Sequence, residues 1–584
     1  MVACLGGFPA RRRDGGPGVR TLGQGLRAKD EPVKGFEAAA ALLGKVERSG
    51  LGSGMGRVRK PRQDLPVVRK ASSARTGDGD PKGVLFVADV SIGPIRRAHL
   101  FERLCAAAVV LLMAGTAVGP GAAGSGAGQP PSVLLETATA LTAFTPSLAS
   151  NSSGIVLASW FEQDFEGGSF TSHVYFRMGS TAAGWGAAFT LDGAVAPDLQ
   201  PPTVALSDSG DGLVIFRAGT YSGGFRPYAV GASVSSWGGV QVIDGGNGEK
   251  VSNAPVVAMD ANGNGLALWQ SDNGTHYSVL SNYFSAGAGW GSPVRLESTP
   301  TQNASSPVVG MDAAGNGIAA WSQYDGVRWN IWAARFTPLS GWGAPVLMET
   351  DDLASSYGQA LAVDPSGDAV LAWAYYGAPN ASVFSRRYSA FAGWIPATLL
   401  AGGGGEAAYA PAVATYGAGR AAAAYTTDSN GTQEVRARLF DGGWSNASVV
   451  AAAPSGRYFG SPRLAAEPSG NLTLVWLDGD EVTYNQNDLW AASLTSSRGW
   501  SAPYRVEEAT GDVNSAVVVP LTGGRAFAAW SQGYGPAYAS HAWVRELSAP
   551  DETAPSLTVT EPSEGAKVAS PTVNVAGFTE PGAE

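Results

Sequence analysis

Between residues 131 and 548 short apolar runs alternate with turn residues, and the alternation repeats. An aromatic residue closes an apolar run at Trp160, Phe216, Trp269, Trp321, Trp373, Tyr425, Trp476 and Trp530, at spacings of 56, 53, 52, 52, 52, 51 and 54. A second marker, a Trp after Gly or Ser, falls at Trp185, Trp237, Trp290, Trp342, Trp394, Trp444 and Trp500 with nearly the same period. Two independent markers on one period define a tandem array. The third and fourth copies read PVVAMDANGNGLALWQ (255–270) and PVVGMDAAGNGIAAWSQ (307–323). Each continues into an alternating segment and then GWGSPVRLE (289–297) or GWGAPVLME (341–349). Every copy therefore predicts four short strands separated by turns. The DANGNG and DAAGNG segments suit tight hairpins, because Gly and Asn tolerate positive φ.

Four strands per unit of roughly fifty residues predict propeller blades. The fold class expected is all-β, a β-propeller of eight four-stranded blades, with seven plus a damaged copy as the alternative. Ala258, Ala319, Ala320, Ala372 and Ala421–Ala424 fit inner strands crowded near the axis. The eighth copy (515–548) has three candidate strands and no Gly-Trp segment, whereas Val133–Thr137 matches Val346–Thr350. An N-terminal strand is thus expected to complete the last blade and close the ring. The PxVAxDxxGNGxAxW…GWGxP pattern resembles repeat proteins of bacterial and archaeal surfaces that often adjoin Ig-like modules. The resemblance spans about 131–548 and implies no catalytic residues.

Outside the array, residues 1–95 form a basic leader without sustained periodicity, expected to be disordered or a mispredicted extension ahead of a downstream start. In 96–128, Arg96, Arg97 and Arg103 precede the apolar run Leu104–Val118 and a small-residue exit. This reads as a signal peptide cleaved near Ala117 or Ala123, with an uncleaved membrane anchor as the alternative. Residues 549–584 read as a linker and the truncated start of an Ig-like β-sandwich, so further modules are expected beyond it. The implied location is secreted or cell-surface.

Charge narrows the partners. Residues 104–584 carry 19 Lys and Arg against 39 Asp and Glu, a balance of −20, which repels nucleic acid. A glycan or a surface protein is favoured. Cys4 and Cys105 both lie at or before the apolar run, so the exported part has no disulfide framework.

Candidate chemistry lies where copies differ. The segment after the second strand carries Glu162, Asp164 and Glu166 in the first copy (FEQDFEGG). In the seventh copy (LDGDEVTYNQND) it carries Asp478, Asp480 and Glu481. Read as loops, these clusters suit cation binding or paired-carboxylate glycoside hydrolysis. Trp329 and Trp332 break the repeat and are candidates for stacking on sugars, while the regular tryptophans are expected between blades. The DANGNG hairpin has Asp260, Asn262 and Asn264 at calcium-loop spacing, but Ser271 stands where a bidentate carboxylate is needed. No resident cofactor or metal site is therefore expected, calcium being the one candidate. Sequons at Asn151, Asn273, Asn303, Asn380, Asn430, Asn446 and Asn471 mark glycosylation candidates. With no nucleophile motif, metal spacing or nucleotide fingerprint in view, the function expected is a non-catalytic extracellular binding or adhesion module. The alternative is a carbohydrate-active, glycoside hydrolase-like propeller using carboxylates of the divergent segments; the third reading is a surface scaffold.

Overall fold

The computed structural model describes residues 129–136 and 142–549, apart from short loop segments such as 167–168, 192–197 and 481–486, and three further strands. Those strands, Leu85–Ser91, Leu557–Glu561 and Thr572–Thr579, form one antiparallel sheet with Thr572–Thr579 in the middle. One of them falls within the expected leader and two within the expected Ig-like stub. The candidate signal segment lies outside the described residues.

Residues 129–549 build eight antiparallel sheets, the eight blades of a propeller. Blade 4 shows the unit: inner strand Ala304–Met311, second strand Gly317–Tyr324, third strand Trp329–Thr337, and an outer strand in two pieces, Gly341–Trp342 and Val346–Leu347. The outer strand breaks across Gly343-Ala344-Pro345 of GWGAP, because proline donates no ladder hydrogen bond. In the inner-to-second hairpin, Asp312 Oδ1 accepts the amides of Ala314 and Asn316 at 2.9 and 2.8 Å. Gly315 takes φ +83° in the same turn, which explains the repeated Asp-x-x-Gly-Asn signature.

Blade 8 consists of Asp512–Pro520, Arg525–Tyr534, Ala539–Ser548 and, from the other end of the array, Val133–Leu134. Val133 faces Val544 and Leu134 faces Trp543 in antiparallel register. The Leu135 amide extends the ladder to the Ala542 carbonyl at 2.8 Å. Gln129 caps the seam through both backbone groups of Ser548, and Arg545 Nε donates to the Pro130 carbonyl at 2.6 Å. The ring is closed by eight blades, as the copy count requires.

The core is a set of layers between neighbouring blades. Trp321 of blade 4 packs with Leu266, Leu268 and Val279 of blade 3, and Trp269 of blade 3 with Leu213 and Ile215 of blade 2. Trp160, Trp269, Trp321, Trp373, Trp476, Trp530, Tyr425 and Phe216 are all fully buried, so the periodic aromatics are inter-blade wedges. One expectation needs correction. Ala319, Ala320, Ala372 and Ala421–Ala424 lie on second strands, not inner ones. Small residues are needed there because the preceding blade approaches closely: a Cβ on Gly317 would sit 2.3 Å from Leu266 Cδ1.

Candidate functional site

The second-to-third-strand segments and the blade connections share one face. Its centre is ringed by the first residues of the inner strands, where a β-bulge recurs. The ladder shifts register after Phe144, Ser305, Tyr357, Tyr409 and Gly460 of blades 1, 4, 5, 6 and 7. The next residue has positive φ in each case: Thr145 at 44°, Ser306 at 54°, Gly358 at 64°, Ala410 at 48° and Ser461 at 49°. Such a bulge re-aims the side chain beside it. The backbone device is constant, while the residue it presents varies from Tyr to Ser to Gly.

On blades 4 to 6 these positions join a row of rings. Tyr324 and Trp329 lie 5.6 Å apart by centroid, Trp329 and Tyr357 6.2 Å, Tyr357 and Tyr376 5.7 Å, and Tyr376 and Tyr409 6.2 Å. Tyr357 and Tyr376 are 39% and 49% exposed. Partial burial, and then the adjoining Tyr409 and Tyr357, push the Tyr376 phenol up. Trp329, part-buried, is a member of this row. Trp332, three residues on, faces Trp321 across the ladder and packs into the layer between blades 3 and 4.

Beyond Tyr409 the face becomes charged. Arg436 pairs with Glu406 at 2.7 Å and Glu434 at 2.6 Å. On blade 7, Asp478 and Asp488 face each other across the second and third strands, a placement that sets their Cβ atoms about 5 Å apart. Arg457 reaches both carboxylates, at 2.7 Å to Asp478 Oδ1 and 3.4 Å to Asp488 Oδ2. Arg505 contacts Asp488 Oδ1 at 3.1 Å. The two environments differ. Asp478 is buried, and desolvation pushes its carboxyl up despite Arg457, with Asp488 adding repulsion. Asp488 is 29% exposed in its side chain and stands between two guanidiniums. Tyr458 donates to Asn487 Oδ1 at 2.8 Å beside the pair.

A second carboxylate pair lies at the closing seam. Trp160 Nε1 donates to Glu162 Oε1 at 2.7 Å, and Glu162 is 2% exposed. Glu136, on the closing segment, contacts His541 Nδ1 and keeps Oε2 without a hydrogen-bond partner. Burial first, and then Glu162, push the Glu136 carboxyl up to about 8, against a hydrogen bond from the Ala542 backbone.

The acidic segments read as loops are strand ends, and this corrects their description. In blade 1 the strands Ile155–Glu166 and Ser169–Ser180 run to the hairpin tip, with Asp164 opposite Thr171 and Glu166 opposite Ser169. In blade 7 the second strand extends to Asp480, and Glu481 lies outside the described residues. Cross-strand pairing continues past the point where composition turns polar, because the backbone ladder is indifferent to side-chain polarity. Asp488, Arg457, Glu136 and the four tyrosines of the row escaped sequence reasoning. Aligning the copies on the residue ahead of each bulge exposes Tyr357 and Tyr409; nothing in the sequence marks the others.

The calcium-like hairpins are saturated from within. Asp260 Oδ1 accepts the amides of Asn262 and Asn264, and Oδ2 accepts Asn264 Nδ2. Among the described residues no group of three or more His, Cys, Asp or Glu side chains could hold a metal ion. Of the sequons, Asn273, Asn380 and Asn430 fall between second and third strands, and Asn151 and Asn471 in hairpins of the opposite face. Asn303 Oδ1 accepts the Tyr277 amide at 2.9 Å, and Asn446 is exposed.

No family model matches the sequence, and no curated protein matches it. Solved structures do. One is an ulvan lyase, a polysaccharide lyase (12% identity, 66% of this chain and 95% of that one, TM-score 0.38). Another is an α-L-arabinanase from Penicillium chrysogenum complexed with arabinobiose (12%, 61% and 95%, TM-score 0.35). A third is the β-propeller domain of the Trilobed protease from Pyrococcus furiosus (7%, 64% and 97%, TM-score 0.37). Likeness at this level concerns the propeller architecture. The expected non-catalytic adhesion role is corrected at this point. It rested on the absence of a catalytic motif from the sequence, whereas the similar propellers include polysaccharide-cleaving enzymes.

Proposed function

We propose that this propeller is a carbohydrate-active enzyme that hydrolyses glycosidic bonds of an extracellular polysaccharide on its connection face. The observation that carries the proposal is the Asp478–Asp488 pair, two facing carboxylates in unlike surroundings, one buried and pushed up, the other part-exposed between two guanidiniums. Environments that separate two carboxylates in this way are how acid and base roles are divided at one pH. Asp478, raised by burial, is the proton donor to the glycosidic oxygen. Asp488, paired with Arg457 and Arg505, is the carboxylate that attacks or supports the anomeric carbon. Directly opposed positions on paired strands place the two side chains as neighbours on one face, and in a retaining mechanism the second carboxylate forms a glycosyl-enzyme ester. Arg457 bridges both groups and fixes their geometry. The signal-like segment 96–128 and the acid-rich body accord with work outside the cell.

The test is release of reducing ends from a panel of soluble polysaccharides by the full chain, compared with Asp478→Asn and Asp488→Asn. Turnover that falls about a hundredfold or more in each variant, with unchanged thermal stability, supports the assignment. Equal turnover in wild type and both variants, or none on any substrate, overturns it.

A further inference from the structure

We infer that the row Tyr324, Trp329, Tyr357, Tyr376 and Tyr409 is a binding track for a neutral polysaccharide chain, laid across blades 4 to 6 toward the blade 7 carboxylates. The inference rests on the proposed function for its direction and on separate observations for its existence.

The row is not needed by the fold. The same bulge position is filled by Ser305 in blade 4 and Gly460 in blade 7 without loss of the bulge. Burial does not account for Tyr357 at its bulge or for Tyr376 beside it, because they stay 39% and 49% exposed. Large aromatics held in water at a variable position of a repeat serve a ligand better than a core. Their placement is specific, since Gly358 and Ala410 at positive φ turn Tyr357 and Tyr409 toward the face. Successive centroids at 5.6 to 6.2 Å make the rings continuous across three blades.

The chemistry selects the occupant. A tyrosine offers a ring face to the C–H face of a sugar and a hydroxyl to its O–H groups. Stacked nucleobases need the same rings but also a cationic groove, whereas residues 104–584 together have a balance of −20. Nor does the row favour a polyuronate. The guanidiniums at its far end, Arg436 and Arg457, are each paired with two carboxylates already. An uncharged chain meets no desolvated charge of either sign.

Binding is measured on the full chain carrying Asp478→Asn, so that turnover does not consume the probe. Affinity electrophoresis against mixed-linkage β-glucan, xyloglucan and linear arabinan is run beside polygalacturonate and oligo-dT. The expected result is saturable binding of at least one neutral polymer, weakened about fivefold to tenfold by Tyr357→Ala and again by Tyr376→Ala. Tyr376→Phe retains the ring and recovers most of that loss. Binding unaffected by both alanine variants, absent for every neutral polymer, or stronger for polygalacturonate or oligo-dT overturns the track. The two readings fail separately. Track-dependent binding without reducing-end release sinks only the enzyme, while cleavage indifferent to Tyr357→Ala and Tyr376→Ala sinks only the track.

Discussion

Single residues in this protein repeat eight times with different partners, so one chain supplies its own comparisons. Trp160, Trp321 and Trp530 each give the indole N–H to the side chain two residues on: Glu162, Gln323 and Gln532. Trp373 and Trp476 are equally buried but their Nε1 atoms have no hydrogen-bond partner. Trp476→Phe is therefore expected to cost only packing. Trp160→Phe also removes a donor from buried Glu162, a further cost of about 1–3 kcal/mol. Urea denaturation of the two variants measures the difference, and equal losses would show that the indole hydrogen bond carries no weight. The bulges allow a second comparison. Ala410 holds φ at 48°, a region where a Cβ is strained. Ala410→Gly is expected to raise stability by about 0.5–1 kcal/mol, reading as an upward shift in melting temperature. A drop instead would mean that chain entropy outweighs the strain.

At the scale of the element, the closing strand is the most pH-sensitive part of the ring. The Glu136 carboxyl is at 4.5 in its ordinary state and is pushed up to about 8 in the fold. The native state thus holds a proton that the unfolded chain gives up in between. Its stabilising share is complete below about pH 4.5 and is lost as pH rises through about 8. Glu507 at the same blade position, raised to about 7 by burial, acts in the same sense over a narrower window. Wild type is expected to melt at lower temperature as pH goes from 5 to 8.5, with Glu136→Gln flattening that decline. A Glu136→Gln profile parallel to wild type would remove the seam from the explanation. The difference between Glu136 and Glu507 is physical: Glu507 has Arg505 as a partner, while Glu136 faces a histidine and another glutamate.

For the whole molecule, closure is the decisive feature. Two paired residues, one further backbone bond and the Gln129 cap join the ends of an array more than four hundred residues long. A closed ring leaves no open edge, and each layer between blades is then held from both sides. Leu135→Pro deletes the amide bonded to Ala542 and a fully buried side chain. The expected outcome is a lower urea midpoint with a reduced m-value, as blades 8 and 1 separate before the rest. A single transition of unchanged slope would show that the inter-blade layers hold the ring without the seam.

What the sequence by itself determined is the periodic part. Two aromatic markers on one period, four apolar runs per copy and the match of 133–137 to 346–350 were enough for eight blades and their closure. These features are local or strictly repeated, and hydrophobic burial enforces them in every copy. Asp478, Glu162 and Trp329 were legible for the opposite reason, as departures from the repeat. The tertiary structure decided how such departures combine. Asp478 meets Asp488 because the strands run past the polar boundary and close a hairpin around residues that read as a loop. Glu136 meets Glu162 only when the ring closes across the whole array. Tyr357, Tyr376 and Tyr409 become one surface only when blades 5 and 6 lie side by side. Periodicity reports which face of a strand is buried; it carries no information about which exposed residues of different blades become neighbours, since that depends on the angle between sheets and on the bulge that aims each side chain.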